Sequence, residues 1–461
     1  MASDEEAIPT SRAKRTAAVA SLAASEAVKR LGTHAANLTR TDEEAQAALS
    51  RRQLESAKQL VAVLGTMKGA AMKVGQVMSF LDAGMVPEEH REEFQRELAK
   101  LRDAAPTVSF KQMRQVIERD LEAPVEEIFS ELEEEPIAAA SIGQVYRGRL
   151  REDGRDVAVK VQYPGVDEAV RADLQNMDLL MRVFKRIAPG MDAKAVAREI
   201  RDRIAEELDY ELEAQNQRAL ARIYDGHPFI VVPRVISSLT RTHVMVSEFV
   251  DGFGFEELKG YPQAERDRVG EIVFRFFLGC LYRHHQFSGD PHPGNFRVLN
   301  DGRVAFLDFG LFKRIDPAAV QLEIDCQQAV IADDAPRLRD ILAAGGFLPH
   351  PEEIDPVDLL DYVRDVIWWY TTDEVVALTP EIATSVLIEG SDPRSRHFDA
   401  MRHQDMKPEH LFGRRMEMLT LAVLSQLRAA NNWRAVADEW IYDAEPRTEL
   451  GVLETDFFSR R

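Results

Sequence analysis

The chain has 461 residues, of which 45% are apolar and 30% charged, and a formal net charge of -20 at pH 7. This length and composition indicate a globular protein of two or three packed units, and the acidic balance argues against a nucleic-acid partner, which would need a basic face. Two cysteines are too few for a disulfide framework, and no charge-free run of 18 apolar residues occurs. We therefore expect a cytoplasmic protein that does not span a bilayer.

Residues 1–105 are predicted to form an alanine-rich helical extension, in which Thr41 begins a helix through its side-chain cap and an acidic first turn. The segment from Arg12 to Leu38 has basic residues towards both ends and small or apolar residues between them. Two interpretations stay open for this segment. It is either a weak amphipathic face that attaches the protein peripherally to an anionic membrane, or a helix that packs on the main domain or is partly disordered.

Beyond a glutamate-rich patch that ends at Glu135, the pattern changes to strands. Gly143 to Leu150 and Asp156 to Gln162 are predicted to form a β-hairpin around an Asp153-Gly154 turn. The second strand contains Val157-Ala158-Val159-Lys160, which matches the strand lysine of a kinase small lobe, where the ammonium pairs with nucleotide phosphates. Taken alone, such a lysine is more often a solvated edge residue.

A long helical run begins near Ala193 and contains the acidic segment from Glu206 to Glu213. A phosphate-binding lysine needs a carboxylate on a facing helix, and this helix offers several, although some of them must face water. Further on, Val244 to Gly252 is predicted to be a buried strand that turns into a polar linker. This is where a kinase hinge binds adenine, and Glu248 and Val250 are its candidate nucleotide-binding residues.

The most informative motif is Ser288-Gly-Asp-Pro-His-Pro-Gly-Asn295, which is followed by Phe306-Leu-Asp-Phe-Gly310. In kinases, one aspartate orients the attacking group or accepts its proton, while an asparagine and the aspartate of the Asp-Phe-Gly segment hold Mg²⁺. Asp290, Asn295 and Asp308 fit these roles at the right spacing. A lone Asp-Phe-Gly would be weak evidence, but the combination rarely arises by chance.

Several motifs are missing. The sequence contains no G-x-x-x-x-G-K-[ST], which argues against a P-loop NTPase. In place of a glycine-rich loop before the strand lysine stands an alanine-rich loop, whose methyl groups restrict how closely the backbone can approach phosphates. No Ala-Pro-Glu follows the Asp-Phe-Gly, and a helical pattern resumes by about Pro317, so we do not expect the surface that holds peptides in protein kinases. The loop residues are Ala138, Ala139, Ala140 and Ser141.

Together with Lys73-Val-Gly75-Gln76, these features resemble the UbiB family of atypical kinases, also called the AarF family. The resemblance covers roughly residues 60 to 315 and rests on five motifs in order. They are K-x-G-Q at Lys73, Gly75 and Gln76; A-A-A-S-I-G-Q at 138–144; V-A-V-K-V-Q-Y-P-G-V at 157–166; E-x-D at Glu207 and Asp209; and D-P-H-P-G-N at 290–295 with Asp308-Phe-Gly310. The family usually has Ala-Asp where this chain has Gly289-Asp290, which leaves the acid in place.

The resemblance implies an α+β, two-lobed protein-kinase-like fold with a small β-rich lobe that includes a helix, and a large, mainly helical lobe. The extension would occupy residues 1–105, the small lobe 106–250 and the large lobe 251–461. ATP or ADP and Mg²⁺ would bind between the lobes, and Glu213 would pair with Lys160. Glu207 and Asp209 would hold the Lys73 to Gln76 segment over the active site, where it obstructs protein substrates.

The leading functional hypothesis from this resemblance is ATP hydrolysis or phosphoryl transfer that acts on, or is regulated by, a small-molecule, lipid or quinone-type ligand. An ordinary protein kinase is disfavoured by the missing peptide surface. A nucleotide-binding regulatory scaffold and an ATPase that supports transport or drug tolerance are further alternatives. The sequence leaves open whether the protein forms a homo-oligomer.

Three other patterns have simpler interpretations. His284, His285 and His292 could suggest zinc, but no cysteine completes a ligand set, so a metal site built from these histidines is disfavoured. Trp368-Trp369-Tyr370 is predicted to pack in the core rather than to line an apolar groove for a lipid. The tail from Pro408 is predicted to be the final buried helix of the large lobe.

Overall fold

A computed structural model gives the fold and describes residues 108–140, 142–168, 170, 208–391, 395–405 and 408–461. The helical extension, the Lys73 to Gln76 motif, Ser141 and Glu207 lie outside these residues. The described chain divides into two compact units. The first contains the residues up to Glu211 with Ile236–Val246, and the second contains Leu212–Val235 with Ser247–Arg461. The predicted boundaries at 105 and 250 stay predictions.

The described residues contain twelve strands and thirteen α-helices. The strands are β1 Phe129–Leu132, β2 Ala138–Ala139, β3 Gly143–Leu150, β4 Asp156–Gln162, β5 Ile230–Val231, β6 Val244–Glu248, β7 Gln286–Ser288, β8 Phe296–Val298, β9 Val304–Phe306, β10 Phe312–Arg314, β11 Val376–Ala377 and β12 Ala430–Asn431. The helices are α1 Phe110–Leu121, α2 Val125–Ile128, α3 Tyr210–Ile223, α4 Phe255–Leu258, α5 Gln263–His284, α6 Pro317–Ile331, α7 Ala335–Ala344, α8 Pro356–Thr371, α9 Pro380–Ser391, α10 Phe398–Arg402, α11 Pro408–Leu427, α12 Trp433–Ile441 and α13 Glu449–Ser459.

The first unit is built on an antiparallel sheet of order β1-β3-β4-β6, in which β2 also pairs with β3. The predicted hairpin has the predicted bounds, and its turn follows from local chemistry. Gly154 adopts a φ of +72°, and the Asp153 carboxylate accepts a hydrogen bond of 3.0 Å from the backbone N–H of Arg155. Every second residue of β4 is fully buried, which fixes the register of the strand against the core. These residues are Val157, Val159 and Val161.

The second unit is organised around α5, which is buried continuously from Val269 to Tyr282. Phe274 on this helix packs against the rings of Trp369, Trp433 and Trp440, with ring centroids 5.3–5.7 Å apart. The core interpretation of Trp369 and Tyr370 is therefore confirmed. No helix among the described residues is both long and apolar enough to cross a membrane.

The prediction that the helix from Pro408 is the last one was wrong. That helix is α11, and α12 and α13 follow it. The sequence pattern missed them because both are short and carry acids on their buried faces: Glu439 and Glu454 are only 6% and 3% exposed. Carboxylates at such positions make a helix look solvated unless their partners are known.

The partner of these acids is Arg275, which interrupts the apolar pattern of α5 and is fully buried. Its guanidinium donates two hydrogen bonds to Glu439, of 2.6 and 2.9 Å. It also donates to Glu454 at 2.8 Å and to Glu271 at 2.8 Å. A buried charge is tolerated only when it is paired and hydrogen-bonded, so Arg275 requires both carboxylates from α12 and α13.

Gly451 in the first turn of α13 provides a test of this buried network. A Cβ at this position would lie 2.5 Å from Glu439 Oε1, 2.6 Å from Arg275 Nη2 and 2.8 Å from Pro446 Cβ. Because the ion pairs fix these side chains, we expect Gly451→Ala to lower the free energy of unfolding by about 2–3 kcal/mol. Urea denaturation of the full chain measures this change.

Gly413 in α11 is the matched control, since a Cβ there would meet nothing within 4 Å. Gly413→Ala should raise stability by about 0.5–1 kcal/mol, because it reduces the backbone entropy of the unfolded chain. Equal denaturation midpoints for the two variants would contradict the tight packing around Gly451.

Candidate functional site

Two pairs of short antiparallel strands in the second unit carry the predicted catalytic motifs. β7 pairs with β10, and β8 pairs with β9. The segment between β7 and β8 contains Asp290 and Asn295, and the segment between β9 and β10 contains Asp308. Two backbone hydrogen bonds join these segments, one from Gly289 N to Leu311 O at 2.7 Å and one from Leu307 N to Asn295 O at 2.9 Å. The fold therefore brings together the three residues that the sequence singled out.

Local chemistry shapes the first segment. Pro293 begins a short 3-10 helix, Pro293–Asn295, and His292 caps it by accepting a hydrogen bond of 3.0 Å from Gly294 N through Nδ1. Asn295 Nδ2 donates to the backbone oxygen of Asp290 at 3.1 Å and lies 3.4 Å from Asp290 Oδ2. The asparagine thus fixes the aspartate through its Nδ2.

The second segment is fixed at both ends of Asp308. Asp308 Oδ1 accepts a hydrogen bond of 3.0 Å from Gly310 N, and its backbone oxygen accepts one of 3.2 Å from Ser288 Oγ. Phe309 is fully buried, whereas Asp290, Asn295 and Asp308 are each partly exposed. The buried phenylalanine anchors the segment, and the polar side chains stay accessible to a ligand.

Helix α3 adds a third set of groups to this unit. Glu213 is 3% exposed, and its Oε2 lies 3.7 Å from the point that a Cβ on Gly310 would occupy; Asp308 Oδ1 lies 3.5 Å from the same point. Both carboxylates therefore border the glycine of the Asp-Phe-Gly segment. Close to Glu213 on the same helix, the buried Asn216 donates to the backbone oxygen of Phe309 at 3.3 Å.

Sequence reasoning missed Asn216 and its neighbour Gln217, which is buried and donates to Pro233 O at 2.7 Å. A signal was available. The two amides follow Glu213 by three and four residues, the spacing that puts helical side chains on one face. A polar stripe at this spacing, next to the buried Leu220, indicates a helix face that hydrogen-bonds inside the protein.

In the first unit, Lys160 lies on β4 opposite Val145 and is partly buried. Its Nζ lies 5.0 Å from the centroid of the Tyr210 ring, which is a cation–π distance. The sequence did not suggest this tyrosine. The predicted pairing of Lys160 with Glu213 joins residues of the two units and stays a prediction.

The alanine-rich segment is not entirely a loop. Ala138 and Ala139 form β2 and pair with Val145 and Gln144 of β3, and Ala140 N donates to Gly143 O at 2.9 Å. A Cβ on Gly143 would overlap the carbonyl oxygen of Val161, so this position requires glycine. Backbone hydrogen bonds therefore hold Ala138 to Ala140 to the sheet, and Ile142 accepts one of 2.9 Å from Tyr163 N. Ser141 lies outside the described residues.

The remaining predicted residues are engaged locally. Glu248 ends β6, and its Oε2 accepts a hydrogen bond of 3.0 Å from Arg234 N, while its own N–H donates to Arg234 O at 2.9 Å. Val250 follows in the linker and is partly exposed. Asp209 is exposed and accepts a hydrogen bond of 3.0 Å from Glu211 N. Its predicted contact with the Lys73 to Gln76 segment lies outside the described residues.

Two of the clustered histidines differ in environment, since His284 is partly buried and His292 is exposed. Burial lowers the pKa of His284 to about 4, and His292 is engaged as a helix cap. Within the described ranges, the three metal-ligating side chains that come close enough to share an ion are His350, Glu352 and Glu353, and all three are exposed. Exposed groups of this kind are common without a metal.

The comparison with family models matches residues 100–342 to the ABC1 atypical kinase-like domain. The chain belongs to the ABC1 atypical kinase-like family. This result confirms the predicted resemblance to the UbiB/AarF family, since the relatives of this chain include an AarF domain-containing protein kinase and proteins named COQ8B and ACTIVITY OF BC1 COMPLEX KINASE.

One relative is the chloroplastic Protein ACTIVITY OF BC1 COMPLEX KINASE 1 of Arabidopsis thaliana, which is 32% identical over 60% of this chain and 42% of its own length. Another is the mitochondrial Atypical kinase COQ8B of Rattus norvegicus, 31% identical over 61% of this chain and 53% of its own length. The chain thus spans about half the length of these curated relatives. Members of the family are named kinases, which supports a kinase-like enzyme.

A solved structure from Mycobacterium tuberculosis, described as the complex structure of Rv3197-erythromycin, is also similar. It is 31% identical to this ABC1 chain, with a TM-score of 0.62, and the match covers 87% of this chain and 98% of that one. Together with the family match, this likeness confirms the predicted kinase-like fold, with a β-sheet region and many helices.

Asn216 tests whether α3 supports the Asp-Phe-Gly segment of this ABC1-family protein. Asn216→Leu keeps the side-chain size but leaves the Phe309 carbonyl without its amide donor, which should destabilise the protein by about 1–3 kcal/mol. Under the function proposed below, it should also lower magnesium-dependent nucleotide turnover, because the segment that carries Asp308 loses a fixed point. Urea denaturation and phosphate release measure the two effects.

Gln217→Leu is the control from the same helix, since it removes one buried hydrogen bond, to Pro233, without touching the Asp308 segment. We expect a similar loss of stability and little change in turnover. If both variants lose turnover equally, the role assigned to Asn216 is wrong.

Proposed function

We propose that this chain binds a magnesium nucleotide, ATP or ADP, and catalyses ATP hydrolysis or phosphoryl transfer to a small or lipid-like acceptor. The observation that carries this proposal is the convergence of Asp290, Asn295 and Asp308 on two segments held together by backbone hydrogen bonds. An acid, an amide and a second acid in this arrangement are the groups that kinases use.

The donor atoms suit the proposed metal. Mg²⁺ prefers oxygen ligands, and the Asp308 carboxylate offers them. Because Asn295 Nδ2 donates to Asp290, its Oδ1 is the atom of that amide that would face the cation. When bound, Mg²⁺ would neutralise negative charge on the phosphate oxygens.

The remaining roles belong to side chains of this chain. Asp290, fixed by Asn295, would orient the attacking hydroxyl or water and accept its proton. Lys160 would pair with phosphate oxygens, with Glu213 as its carboxylate partner. That pairing is what the resemblance to the family implies. Ala138 to Ala140, Ser141, Glu248 and Val250 would surround the nucleotide.

A small or lipid-like acceptor suits the chain better than a protein substrate. Only six residues separate Gly310 from Pro317, where α6 begins with Asp316 as its cap, so little chain is available for a peptide-binding surface. A regulatory scaffold is disfavoured because each expected phosphate and metal position has a suitable residue. The same proposal includes a lipid or quinone-type ligand and a cytoplasmic location at the membrane surface. It also includes a restraining role for five residues: Lys73, Gly75, Gln76, Glu207 and Asp209.

The metal assignment is tested by Asp308→Asn, with Asp301→Asn as the control. Replacing the Asp308 carboxylate weakens a ligand to the metal, and we expect magnesium-dependent phosphate release from ATP to fall about 10²- to 10³-fold. Asp301 is exposed in the turn after β8, where its Oδ1 accepts a hydrogen bond from Arg303 N that an asparagine can keep. Its variant should retain the parent rate. An Asp308→Asn variant that hydrolyses ATP as fast as the parent would show that the metal lies elsewhere.

A second candidate function is macrolide binding, which would fit the drug-tolerance alternative. The observation that favours it is the likeness to the erythromycin complex, since this chain covers 98% of that protein at 31% identity. Calorimetric titration of the full chain with erythromycin should then show saturable binding, and ATP turnover measured in the same mixture should change. Heat of dilution alone would rule out this function.

A further inference from the structure

Arg461 and the helix before it make unusual contacts with the helix that carries Glu213. Arg461 Nη1 donates hydrogen bonds to the backbone oxygens of Arg222, at 3.0 Å, and Ile223, at 2.7 Å. Its Nη2 donates to the backbone oxygen of Asp225. The carbonyls of Arg222 and Ile223 lie at the carboxyl end of α3, where helical carbonyls have no partner inside the helix, and Asp225 lies in the turn that follows. One guanidinium therefore caps the end of α3 and places its positive charge at the negative end of the helix dipole.

Aromatic side chains of α13 hold this cap in place. The guanidinium carbon of Arg461 lies 4.7 Å from the centroid of the Phe457 ring, so the cation stacks on an aromatic face. The same ring packs against His227, in the loop after α3, with ring centroids 4.7 Å apart. The ring of Phe458 packs against Tyr224, which directly follows α3, with ring centroids 6.3 Å apart. Helix α13 therefore contacts the end of α3 and the loop after it.

His227 contributes to this contact by packing rather than by charge. Its side chain is fully buried, and Nδ1 accepts a hydrogen bond of 3.1 Å from Ile230 N. Nε2 lies 3.7 Å from Glu454 Oε1, but burial, assisted by nearby arginines, lowers the pKa of His227 to about 3. The ring is thus neutral near pH 7 and forms no salt bridge with Glu454. The charged group of this contact that hydrogen-bonds to the end of α3 is the Arg461 guanidinium.

The other side of α13 is anchored to α5. Glu454 accepts hydrogen bonds from Arg275 at 2.8 Å and Arg283 at 3.0 Å, both on α5. Helix α5 leads directly into β7 and the segment that carries Asp290. Helix α13 therefore bridges two elements of the site: α3 with Glu213, and α5 with the catalytic segment that follows it.

We propose that Arg461 is a positioning residue: by capping α3 from α13, it fixes the helix so that Glu213 stays beside the Asp308 to Gly310 segment. Glu213 precedes Ile223 by ten residues, about 15 Å along a helix, and a helix transmits a shift of one end to the other as a rigid body. The catalytic consequence rests on the proposed function, whereas the cap itself does not.

The test compares Arg461→Ala with Arg460→Ala in the full chain. Arg460 is the matched control, because it carries the same charge on the neighbouring residue but, among the described residues, forms its ion pair with the exposed Asp456, at 2.6 Å. In Arg461→Ala, amide hydrogen exchange in Leu212–Ile223 should rise about two- to fivefold, the factor expected for losing a charged cap at a helix end. Arg460→Ala should match the parent. Arg461→Lys keeps the charge but not the fork of donors, so its exchange should fall between the two.

Turnover then shows whether Arg461 acts through Glu213. Arg461→Ala should lower kcat about two- to tenfold, since small displacements of catalytic groups slow the reaction. In a Glu213→Gln background the same change should cause no further loss.

Three results would overturn the inference. The first is unchanged amide exchange in α3 of Arg461→Ala, and the second is an equal rise in exchange in Arg460→Ala. The third is a fold-decrease in kcat on Arg461→Ala that is as large in the Glu213→Gln background as in the parent. If the parent shows no magnesium-dependent turnover at all, the proposed function fails together with the catalytic role of Arg461, and hydrogen exchange still decides whether Arg461 caps α3.

Discussion

A single guanidinium buried in an apolar helix constrains much of the second unit. Arg275 lies in the middle of α5, and its partners Glu439 and Glu454 are 164 and 179 residues further along the chain. An unpaired charge at this depth would be several kcal/mol unfavourable, so α12 and α13 must return to α5 in one orientation. The network therefore fixes how α12 and α13 pack against α5.

The candidate site follows from where α5 ends. The helix stops at His284, His285 adopts the left-handed conformation with φ 53°, and β7 begins at once. Asp290 therefore lies only a few residues beyond a helix that is buried from Val269 to Tyr282. The stacking of Phe276 on Phe306, with ring centroids 3.6 Å apart, attaches β9 to the same helix, and Asp308 follows two residues later. Both aspartates are thus positioned by α5, which suits groups that must hold a fixed geometry.

The first unit places a charged side chain, Lys160, on a strand of its sheet. Valines at alternate positions of β4 bury one face, and Lys160 lies between them on the other. Its ammonium lies over the Tyr210 ring, which offers an attractive electrostatic surface at little desolvation cost. The alanine segment contributes β2 to the sheet instead of a fully flexible loop, so hydrogen bonds to β3 restrain its backbone.

The sequence alone determined the features that depend on local chemistry. The β3 and β4 bounds follow from alternation around an Asp-Gly turn, and the roles suggested for Asp290, Asn295 and Asp308 follow from residue type and spacing. Tertiary structure decided what depends on distant partners. In the sequence, Arg275 interrupts an apolar pattern, and only the structure shows that Glu439 and Glu454 pair with it. The same two acids give α12 and α13 the sequence pattern of solvent-exposed helices. Asn216 and Arg461 donate to backbone carbonyls, which any residue possesses. The polar stripe of α3 indicates a face that hydrogen-bonds inside the protein, but neither it nor Arg461 says which carbonyls are contacted.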